Sequence, residues 1–347
     1  MILGKLTDVP QTDPSNLLRL RDSVYADDLF ITAVAHLNLF SWLDTNPAEA
    51  NLQGICSSLH IEERPAEVML TLFKSLNLIE EKDGRYYLTE LSKDHLAESS
   101  PWFLGPYISS LKEIPVCDEM LKVLKTGKPA NWSASKDEKE WSLAMEDNGF
   151  AEAFTAGMDS RGAYLAPILA KTIDLTGYNK LLDIAGASGI YSSAIVSQHP
   201  HLSASVFEKP PVDRIAKNSI NKRNLSDKIG VIAGDMFRDE FPPGFDIHLF
   251  SNVLHDWDIG AVKTLLENSY RNLKPDGRIL IHDAHLNAEK DGPLAVAEYS
   301  VLLMFLTEGR CYSISEMEEV LAEVGFSEIK YVPTVANRSV IVGKKPV

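Results

Sequence analysis

Residues 181 to 189 read Leu-Leu-Asp-Ile-Ala-Gly-Ala-Ser-Gly, a short apolar strand that ends in a turn of small residues. A helical pattern follows from Ile190 to His199, and a second strand, Ala204 to Phe207, ends on Glu208. A strand that leads through a tight turn into a helix N-terminus forms a site for a nucleotide-like ligand. An acid about twenty residues beyond the turn suits a ribose, whose two hydroxyls need acceptors. The segment therefore predicts an α/β fold built around such a ligand.

The turn departs from the dinucleotide-binding pattern Gly-x-Gly-x-x-Gly, because only Gly186 and Gly189 are glycine. Asp183 lies at the end of the strand, and no lysine or arginine is near enough in sequence to hold a pyrophosphate. These features favour an adenosyl ligand with a positive or neutral tail, and they disfavour a hydride-transferring dehydrogenase. A plain strand-to-helix turn without a ligand is the alternative.

The composition is that of a soluble protein, with 45% hydrophobic and 24% charged residues, and 347 residues suffice for two domains. No apolar run approaches the roughly 20 residues that cross a bilayer, and residues 1–14 show no export signal. Three cysteines without a Cys-x-x-Cys pair do not predict a disulfide framework, so a reduced, cytoplasmic setting is expected. The net charge of −15 argues against nucleic acid as a partner, because phosphates would be repelled.

The first half of the chain predicts a helical domain that contains a winged helix-turn-helix. Apolar residues recur at helical spacing from Leu17 to Leu43. Two short helices, Asn51 to His60 and Arg64 to Leu76, precede two strands of a wing around Asp83-Gly84. The second helix, where a DNA reader carries Arg, Asn or Lys, instead begins with Glu62-Glu63. A structural or dimer-forming winged helix is therefore the better interpretation.

More helix is predicted before the sheet begins, in an amphipathic segment from Pro101 to Leu124 and, after a polar loop, from Glu140 to about Lys171. From Asn179 onward strands and helices alternate, which is typical of a parallel sheet covered on both faces. The last two strands form a hairpin, so the final strand is antiparallel. The predicted strands are Leu181–Ile184, Ala204–Phe207, Ile229–Ala233, Ile247–Ser251, Arg278–His282, Glu328–Tyr331 and Val340–Val342.

Three further strand ends carry polar or aromatic motifs, and ligands of open α/β sheets lie beyond the carboxyl ends of the strands. The third strand is followed by Gly234-Asp235-Met236-Phe237, where the acid can accept from an adenine amine and the apolar side chains can pack on its ring. The fourth leads through Ser251-Asn252 into His255-Asp256-Trp257, and the fifth ends at His282-Asp283.

With these motifs in this order, the chain resembles the S-adenosylmethionine-dependent O-methyltransferases of the caffeic-acid and hydroxyindole type, over essentially its whole length. The turn at 183–189, the Gly-Asp-Met-Phe at 234–237, the His-Asp-Trp at 255–257 and the segment 309–325 all fall in family order. The resemblance implies a winged-helix dimerisation domain, residues 1–175, whose helix at about 140–171 lines the substrate pocket. It also implies a Rossmann-like catalytic domain, residues 176–347, with a seven-stranded, mostly parallel sheet whose last strand is antiparallel.

The implied activity is methyl transfer from S-adenosylmethionine to a hydroxyl of a small aromatic or enolic acceptor, with S-adenosylhomocysteine as product. Such enzymes act in secondary-metabolite biosynthesis, form homodimers through the N-terminal domain and need no metal. His282-Asp283-x-His285 looks like a metal-ligand pattern, but residues three apart on a strand point to opposite faces, so no metal is expected.

In that family the histidine of the His-Asp-Trp motif is the catalytic base, which maps to His255. The physical argument agrees, because a methyl group on a sulfonium is already activated and the enzyme must supply alignment and an unprotonated acceptor oxygen. A phenol of pKa about 10 is mostly neutral near pH 7, and a histidine of ordinary pKa about 6.5 can take its proton. The family acid that orients this base maps to Asp283. Asp256 is a weaker candidate, and a histidine without a chemical role is the alternative.

The resemblance also assigns binding residues. Those for the cofactor are Asp183, Ala185, Gly186, Gly189, Glu208, Gly234, Asp235, Met236, Phe237, Ser251 and Asn252. Those for the acceptor are Phe150, Phe154, Met158, Arg161, Trp257, Tyr299, Leu303, Met304 and Cys311. Arg161 suits a polar or acidic group on the acceptor, whereas ordinary helix packing is the alternative for Phe150.

The chain departs from the family pattern in two places. Cys311 stands where many relatives have a second acid, which puts the two-carboxylate mechanism in doubt; we expect the cysteine to shape the pocket wall and not to react. Ala185 and Ala187 stand where glycines are usual, and alanine tolerates positive φ poorly, so a slightly altered turn is expected.

Two other functions remain open at this point. Antibiotic-pathway relatives with the same fold and cofactor methylate carbon, or use the cofactor without transferring its methyl group, and the Cys311 departure is compatible with either. The second is a regulatory binding protein with its winged helix on DNA, which the acidic composition disfavours.

Overall fold

The computed structural model describes residues 6–130 and 148–347, which form two compact units. The helical unit contains residues 17–130 and 286–313, and the sheet unit contains residues 6–16, 148–285 and 314–347. The expected division at residue 175 stays a prediction. The compact units divide the chain elsewhere, since the long helix before residue 175 belongs with the sheet and residues 286–313 belong with the helices.

The elements are numbered in chain order. The helices are Ser15–Asp22 (α1), Ala26–Ala35 (α2), Leu39–Thr45 (α3), Leu52–Leu59 (α4), Glu63–Ser75 (α5), Glu90–Leu96 (α6), Gly105–Ser109 (α7), Pro115–Thr126 (α8), Asn148–Thr172 (α9), Ile190–Gln198 (α10), Val212–Lys222 (α11), Ile259–Asn272 (α12), Leu294–Leu306 (α13) and Ile314–Val324 (α14). The strands are Ile79–Lys82 (β1), Arg85–Leu88 (β2), Lys180–Ile184 (β3), Ser203–Glu208 (β4), Ile229–Ala233 (β5), Ile247–Ser251 (β6), Arg278–Asp283 (β7), Ser327–Pro333 (β8) and Ser339–Lys344 (β9).

The winged helix-turn-helix forms as the sequence predicts. Asn51 caps α4, its side chain accepting a hydrogen bond from the Gly54 amide at 2.8 Å. Strands β1 and β2 pair antiparallel, and Asp83 and Gly84 turn the chain with φ of 52° and 71°. Both central residues of such a two-residue hairpin turn need positive φ, which is why an Asp-Gly pair signals it.

Two features of the helical unit add detail to the sequence patterns. The helix predicted within Pro101 to Leu124 is divided into α7 and α8, because Pro106 and Pro115 each lie in a first helical turn and Ile114 is extended. The apolar positions that begin at Leu17 are not all buried, since Leu17 and Leu20 are 69% and 74% exposed. Arg19, on the other side of α1, is held by a bidentate ion pair with Glu298. The predicted helix start at Glu140 lies outside the described residues.

The sheet unit confirms the α/β prediction with a seven-stranded sheet in the order β5-β4-β3-β6-β7-β9-β8. Strands β3 to β7 pair in parallel. The last strand, β9, is antiparallel to both neighbours and lies between β7 and β8, so the antiparallel strand is not the edge of the sheet. The chain runs outward from β3 to β5 and returns to β6 beside β3. Such a reversal opens a crevice at the carboxyl ends of the two strands.

The turn after β3 has three residues in the left-handed region: Ala185, Ala187 and Gly189, with φ of 53°, 48° and 70°. The two alanines therefore adopt a conformation that glycine adopts without steric cost, and the slightly altered turn expected from the sequence stays a prediction. A Cβ on Gly186 would lie 2.5 Å from Cγ of Asp183, so that position cannot carry a side chain. Glycine is therefore required at position 186 by the close approach of the Asp183 side chain, as much as the turn is constrained by its left-handed φ values.

We expect Ala187→Gly to raise the free energy of unfolding by about 1 kcal/mol, or Tm by about 2 to 4 °C, because it removes the steric cost of a left-handed alanine. Differential scanning calorimetry would measure it. Ala322→Gly, at an exposed position within α14, is the matched control and should lower stability by a similar amount. A fall in Tm for Ala187→Gly as well would contradict the assigned strain.

Candidate active site

Asp183, near the end of β3, is a predicted cofactor residue that is almost fully buried, at 1% exposure. Its Oδ2 accepts a hydrogen bond from Oγ of Ser192 at 2.6 Å, whereas Oδ1 has no hydrogen-bond partner among the described residues. Burial raises the pKa of this carboxyl to about 6. A buried acceptor without a donor suits a ligand that brings a positive or hydrogen-donating group.

Glu208, at the end of β4, holds the turn from its neighbouring strand. Oε2 accepts from the amide of Ala187 at 2.9 Å, and Oε1 accepts from the amide of Lys209 at 2.9 Å. Burial raises the pKa of Glu208 to about 7, although the hydrogen bond from Ala187 acts in the opposite direction. The predicted ribose acceptor therefore also fixes the shape of the turn.

The segment after β5 is built around Asp235. Its Oδ1 accepts from the Phe237 amide at 2.9 Å, and its Oδ2 lies 3.4 Å from Nζ of Lys209. A Cβ on Gly234 would lie 2.3 Å from the Phe207 ring, which explains the glycine. Met236 is half-buried, and the Phe237 ring packs edge-on against Trp257 with centroids 4.6 Å apart. This strand end thus presents a carboxylate beside apolar surface, as an adenine site requires.

Ser251, the last residue of β6, and Asn252 join a partly buried chain of polar side chains that the sequence did not predict. Nδ2 of Asn252 donates to the Tyr191 hydroxyl at 3.0 Å, and Oγ of Ser251 bonds Nδ1 of His282 at 2.9 Å. Asn252 has φ of 54°, and its buried Oδ1 has no hydrogen-bond partner in residues 6–130 and 148–347. The sequence did carry a signal that Tyr191 lies near the site, because this residue is in the first helical turn after Gly189.

The strongest polar contact at the strand ends joins His255 and Asp283, both about 95% buried. Nδ1 of His255 donates to Oδ1 of Asp283 at 2.5 Å, and the same oxygen accepts from the Ala284 amide at 2.8 Å. Burial acts to raise the pKa of Asp283, but the attraction of His255 and its hydrogen bond outweigh burial and hold the pKa at about 2. Because a carboxylate only accepts, the proton of a neutral His255 ring is on Nδ1, and Nε2 carries the lone pair.

Asp256 faces the other nitrogen of the same ring, with Oδ1 3.6 Å from Nε2 of His255. Burial raises the pKa of Asp256, partly offset by the charges of His255 and Arg161. The geometry therefore separates the two acids: Asp283 bonds the ring directly, and Asp256 lies near the proton-accepting side.

The neighbouring histidines have other environments. His282 bonds Ser251, and Nδ1 of His285 bonds Oγ of Ser339 at 2.7 Å. Burial lowers the pKa of His282 to about 3 and that of His285 to about 4, which makes both poor proton acceptors. Residues 6–130 and 148–347 contain no group of three or more His, Cys, Asp or Glu side chains arranged to hold a metal ion.

The predicted acceptor residues divide between the two units. In the sheet unit, Phe150 and Phe154 stack on α9 with centroids 6.5 Å apart, and Met158 and Arg161 are half-buried. The charge of Arg161 acts on Asp256, Tyr191 and His282, which places it beside the His255 cluster. In the helical unit Tyr299, Leu303, Met304 and Cys311 are all buried, and the Cys311 amide donates to Oγ of Ser300 at 3.1 Å.

Arg338 is a second arginine near this cluster that the sequence did not predict. It is 7% exposed, precedes β9, and its charge acts on Tyr191, His282 and His285. No local sequence pattern marks it, because the hairpin of β8 and β9 brings it to the site from the end of the chain. Among the described helices, none is long and apolar enough to span a bilayer.

Comparison with known proteins agrees with these motifs. The O-methyltransferase domain family matches residues 119–327. A 3-hydroxy-5-methyl-1-naphthoate 3-O-methyltransferase of Streptomyces sahachiroi is 30% identical, over 87% of this chain and 86% of that protein. An L-tyrosine C(3)-methyltransferase of Streptomyces lavendulae is 28% identical, over 86% and 83% of the two chains.

Among solved structures, an O-methyltransferase family 2 protein of Planctomyces limnophilus in complex with apigenin is 30% identical. Its TM-score is 0.87, with 99% of this chain and 100% of that chain covered. The order of the strand-end motifs, the seven-stranded sheet and these matches lead to one assignment. The chain belongs to the O-methyltransferase family, whose members transfer a methyl group from S-adenosylmethionine.

Proposed function

We propose that His255 is the base of an O-methylation reaction on a small aromatic or enolic hydroxyl. The observation that carries this proposal is the 2.5 Å contact of Nδ1 with Asp283, which directs the lone pair of Nε2 away from the buried carboxylate. S-adenosylmethionine supplies a methyl group already activated by its sulfonium. The protein has to hold the acceptor in line, remove its proton as the bond forms and stabilise the imidazolium. Asp283 suits the last task because its low pKa keeps it ionised.

The strand ends fit this cofactor. Asp183 and Asn252 each have a buried acceptor oxygen that no described residue satisfies, which suits the ammonium of the methionine part. Glu208 suits the ribose hydroxyls because its carboxylate lies at the end of the neighbouring strand, and Asp235 with Met236 and Phe237 suits the adenine. We infer that Ala185, Gly186, Gly189, Gly234 and Ser251 complete this binding surface.

The acceptor class follows from the relatives and from the residues on α9. One relative acts on a hydroxynaphthoate, and a related structure contains apigenin. Phe150, Phe154 and Met158 offer apolar surface to such rings, and Arg161 adds a positive charge close to Asp256. We propose an aromatic acceptor with an ionisable hydroxyl. Trp257, Tyr299, Leu303, Met304 and Cys311 stay predicted contributors to its pocket.

His255→Ala should lower kcat/KM by about 10² to 10⁴-fold and change the Kd of S-adenosylhomocysteine by less than about twofold, because the ring acts on the proton of the acceptor and not on the cofactor. Phenolic, indolic and polyketide compounds would be screened with methyl-labelled cofactor, and the best acceptor used for kinetics. Asp283→Asn, which keeps the shape but loses the charge, should be at least about tenfold slower.

His201→Ala is the matched control, because His201 is exposed and precedes β4, at the opposite end of the strands. Full activity of His255→Ala would refute the base assignment. Mass and NMR analysis of the product would show whether oxygen or carbon is methylated. A carbon-bound methyl group would support the alternative that the tyrosine C(3)-methyltransferase relative represents.

The affinity for S-adenosylhomocysteine should fall as the pH is lowered from about 8 to about 5.5. The pKa values of Glu208 and Asp183 are raised to about 7 and about 6, so each carboxylate gains a proton as the pH falls through those values and then no longer accepts from the ligand. Binding near neutral pH should therefore release protons. Calorimetry in buffers of different ionisation enthalpy measures this proton release. Glu208→Gln should remove the part of the pH dependence of affinity that begins near pH 7. An affinity that is constant with pH would contradict it.

We also propose that the chain forms a homodimer through the helical unit. The supporting observation is exposed apolar surface on that unit: Leu17 and Leu20 of α1, and Trp102, Leu104 and Tyr107 around the start of α7. Large exposed apolar surfaces on soluble proteins commonly mark sites of protein–protein contact.

The double substitution Leu17→Asp and Leu20→Asp should convert the dimer to a monomer in light scattering after size-exclusion chromatography, because it places charges in the apolar contact. Leu91→Asp, at another exposed leucine of the same unit, is the control and should leave the mass unchanged. A wild-type monomer at micromolar concentration would rule the dimer out.

A further inference from the structure

Arg223 joins the turn after β3 to helix α9 within the sheet unit. It follows α11 as its C-cap residue, and its side chain is only 6% exposed. Nη1 donates to the carbonyl oxygen of Ser188 at 2.8 Å, while Nη2 pairs with Oδ1 of Asp159. Oγ of Ser188 donates to the same Asp159 oxygen. One guanidinium and one carboxylate therefore hold both the backbone and the side chain of Ser188.

The two ends of this contact lie in different parts of the proposed site. Ser188 is between Ala187, whose amide donates to Glu208, and Gly189, which is the N-cap residue of α10. Asp159 follows Met158 on α9, whose neighbouring turns carry the proposed acceptor residues. The two elements already touch closely, since a Cβ on Gly162 of α9 would lie 2.5 Å from Cγ2 of Ile190. Helix α9 cannot shift against the turn without breaking a largely buried ion pair.

We propose that Asp159 and Arg223 are positioning residues that couple cofactor binding to the acceptor side of the site. Through Ser188 they make the cofactor turn and helix α9 respond as one element, so that a bound cofactor orders the helix that lines the acceptor pocket. This inference rests on the proposed function in one respect, the assignment of α9 to the acceptor. The contact can couple the two elements because Ser188 of the turn and Asp159 of α9 share the Arg223 guanidinium, so that displacing either element breaks these shared hydrogen bonds.

Hydrogen exchange with S-adenosylhomocysteine as probe tests this coupling without an acceptor. In the wild-type protein, saturating probe should slow exchange both in peptides that cover residues 185–189 and in peptides of α9 around Asp159. In Asp159→Asn and in Arg223→Gln, the slowing at 185–189 should remain and the slowing in α9 should be lost. Arg223→Lys keeps a positive charge for Asp159 but lacks the second guanidinium nitrogen that reaches the Ser188 carbonyl oxygen. In this variant the probe should slow exchange in α9 only partially.

Arg271→Gln is the control, because it removes an arginine of the same unit from an exposed pair with Glu240. A double-mutant cycle supplies the second measurement. Each single variant should weaken probe affinity by about tenfold, and the double variant should be no weaker than either single one, because both remove the same contact.

Three results would overturn the inference. The first is that the probe slows exchange in α9 of Asp159→Asn as much as in the wild type. The second is that the losses of probe affinity in the double-mutant cycle are additive. The third is that the variants have a lower Tm but wild-type probe affinity and exchange, which would mean that the pair is purely structural. Absence of any probe binding by the wild-type protein would instead contradict the cofactor site. Slowing at 185–189 but not in α9 of the wild type would contradict the coupling alone.

Discussion

The burial of carboxylates at one edge of the sheet is the constraint on which the site depends. A buried acid must either find a positive or donating partner in the protein or shift its pKa upward. Asp283 has such a partner in His255, and its pKa falls to about 2. Asp183 and Glu208 pair with no positively charged side chain within residues 6–130 and 148–347, and their pKa values rise to about 6 and about 7. Among these three acids, the two directions separate the one that orients the protein's own base from the two that suit a ligand.

The winged helix illustrates how a DNA-binding architecture can serve another purpose. The cations of α5 are engaged within the helical unit: Arg64 donates to the carbonyl oxygens of Gly127 and Gly309, and Lys74 pairs with Glu81 and the Glu289 carbonyl. Glu67 pairs with Arg310. The helix that would enter a major groove therefore holds the segment 286–313, which carries Cys311. This use agrees with the acidic composition and gives no support to a DNA-bound regulator.

Features that a local sequence pattern specifies could be predicted from the sequence. The strands of the sheet, the Asp83-Gly84 turn and the turn after β3 each follow from apolar runs and small residues over a few positions. The acids at the strand ends could be found because parallel strands bring their carboxyl ends to one edge. Pairings between distant segments could not be found this way. Arg338 near His282, and Arg223 with Asp159, come from segments far apart in sequence, and only the tertiary fold brings them together. The exposure of Leu17 was missed for a related reason, because apolar spacing does not tell a core from a partner surface.

The position of Asp256 bears on the departure at Cys311. A second acid in the family pattern would stabilise the charge that the base acquires when it takes a proton. In this chain the His255 ring already lies between two carboxylates of the sheet unit, Asp283 at Nδ1 and Asp256 near Nε2. An imidazolium formed there would be attracted by each acid when that acid is ionised, and the charge of His255 acts against burial to lower the pKa of Asp256. A buried cysteine at position 311 therefore does not leave His255 without a second acid, because the sheet unit itself supplies Asp256.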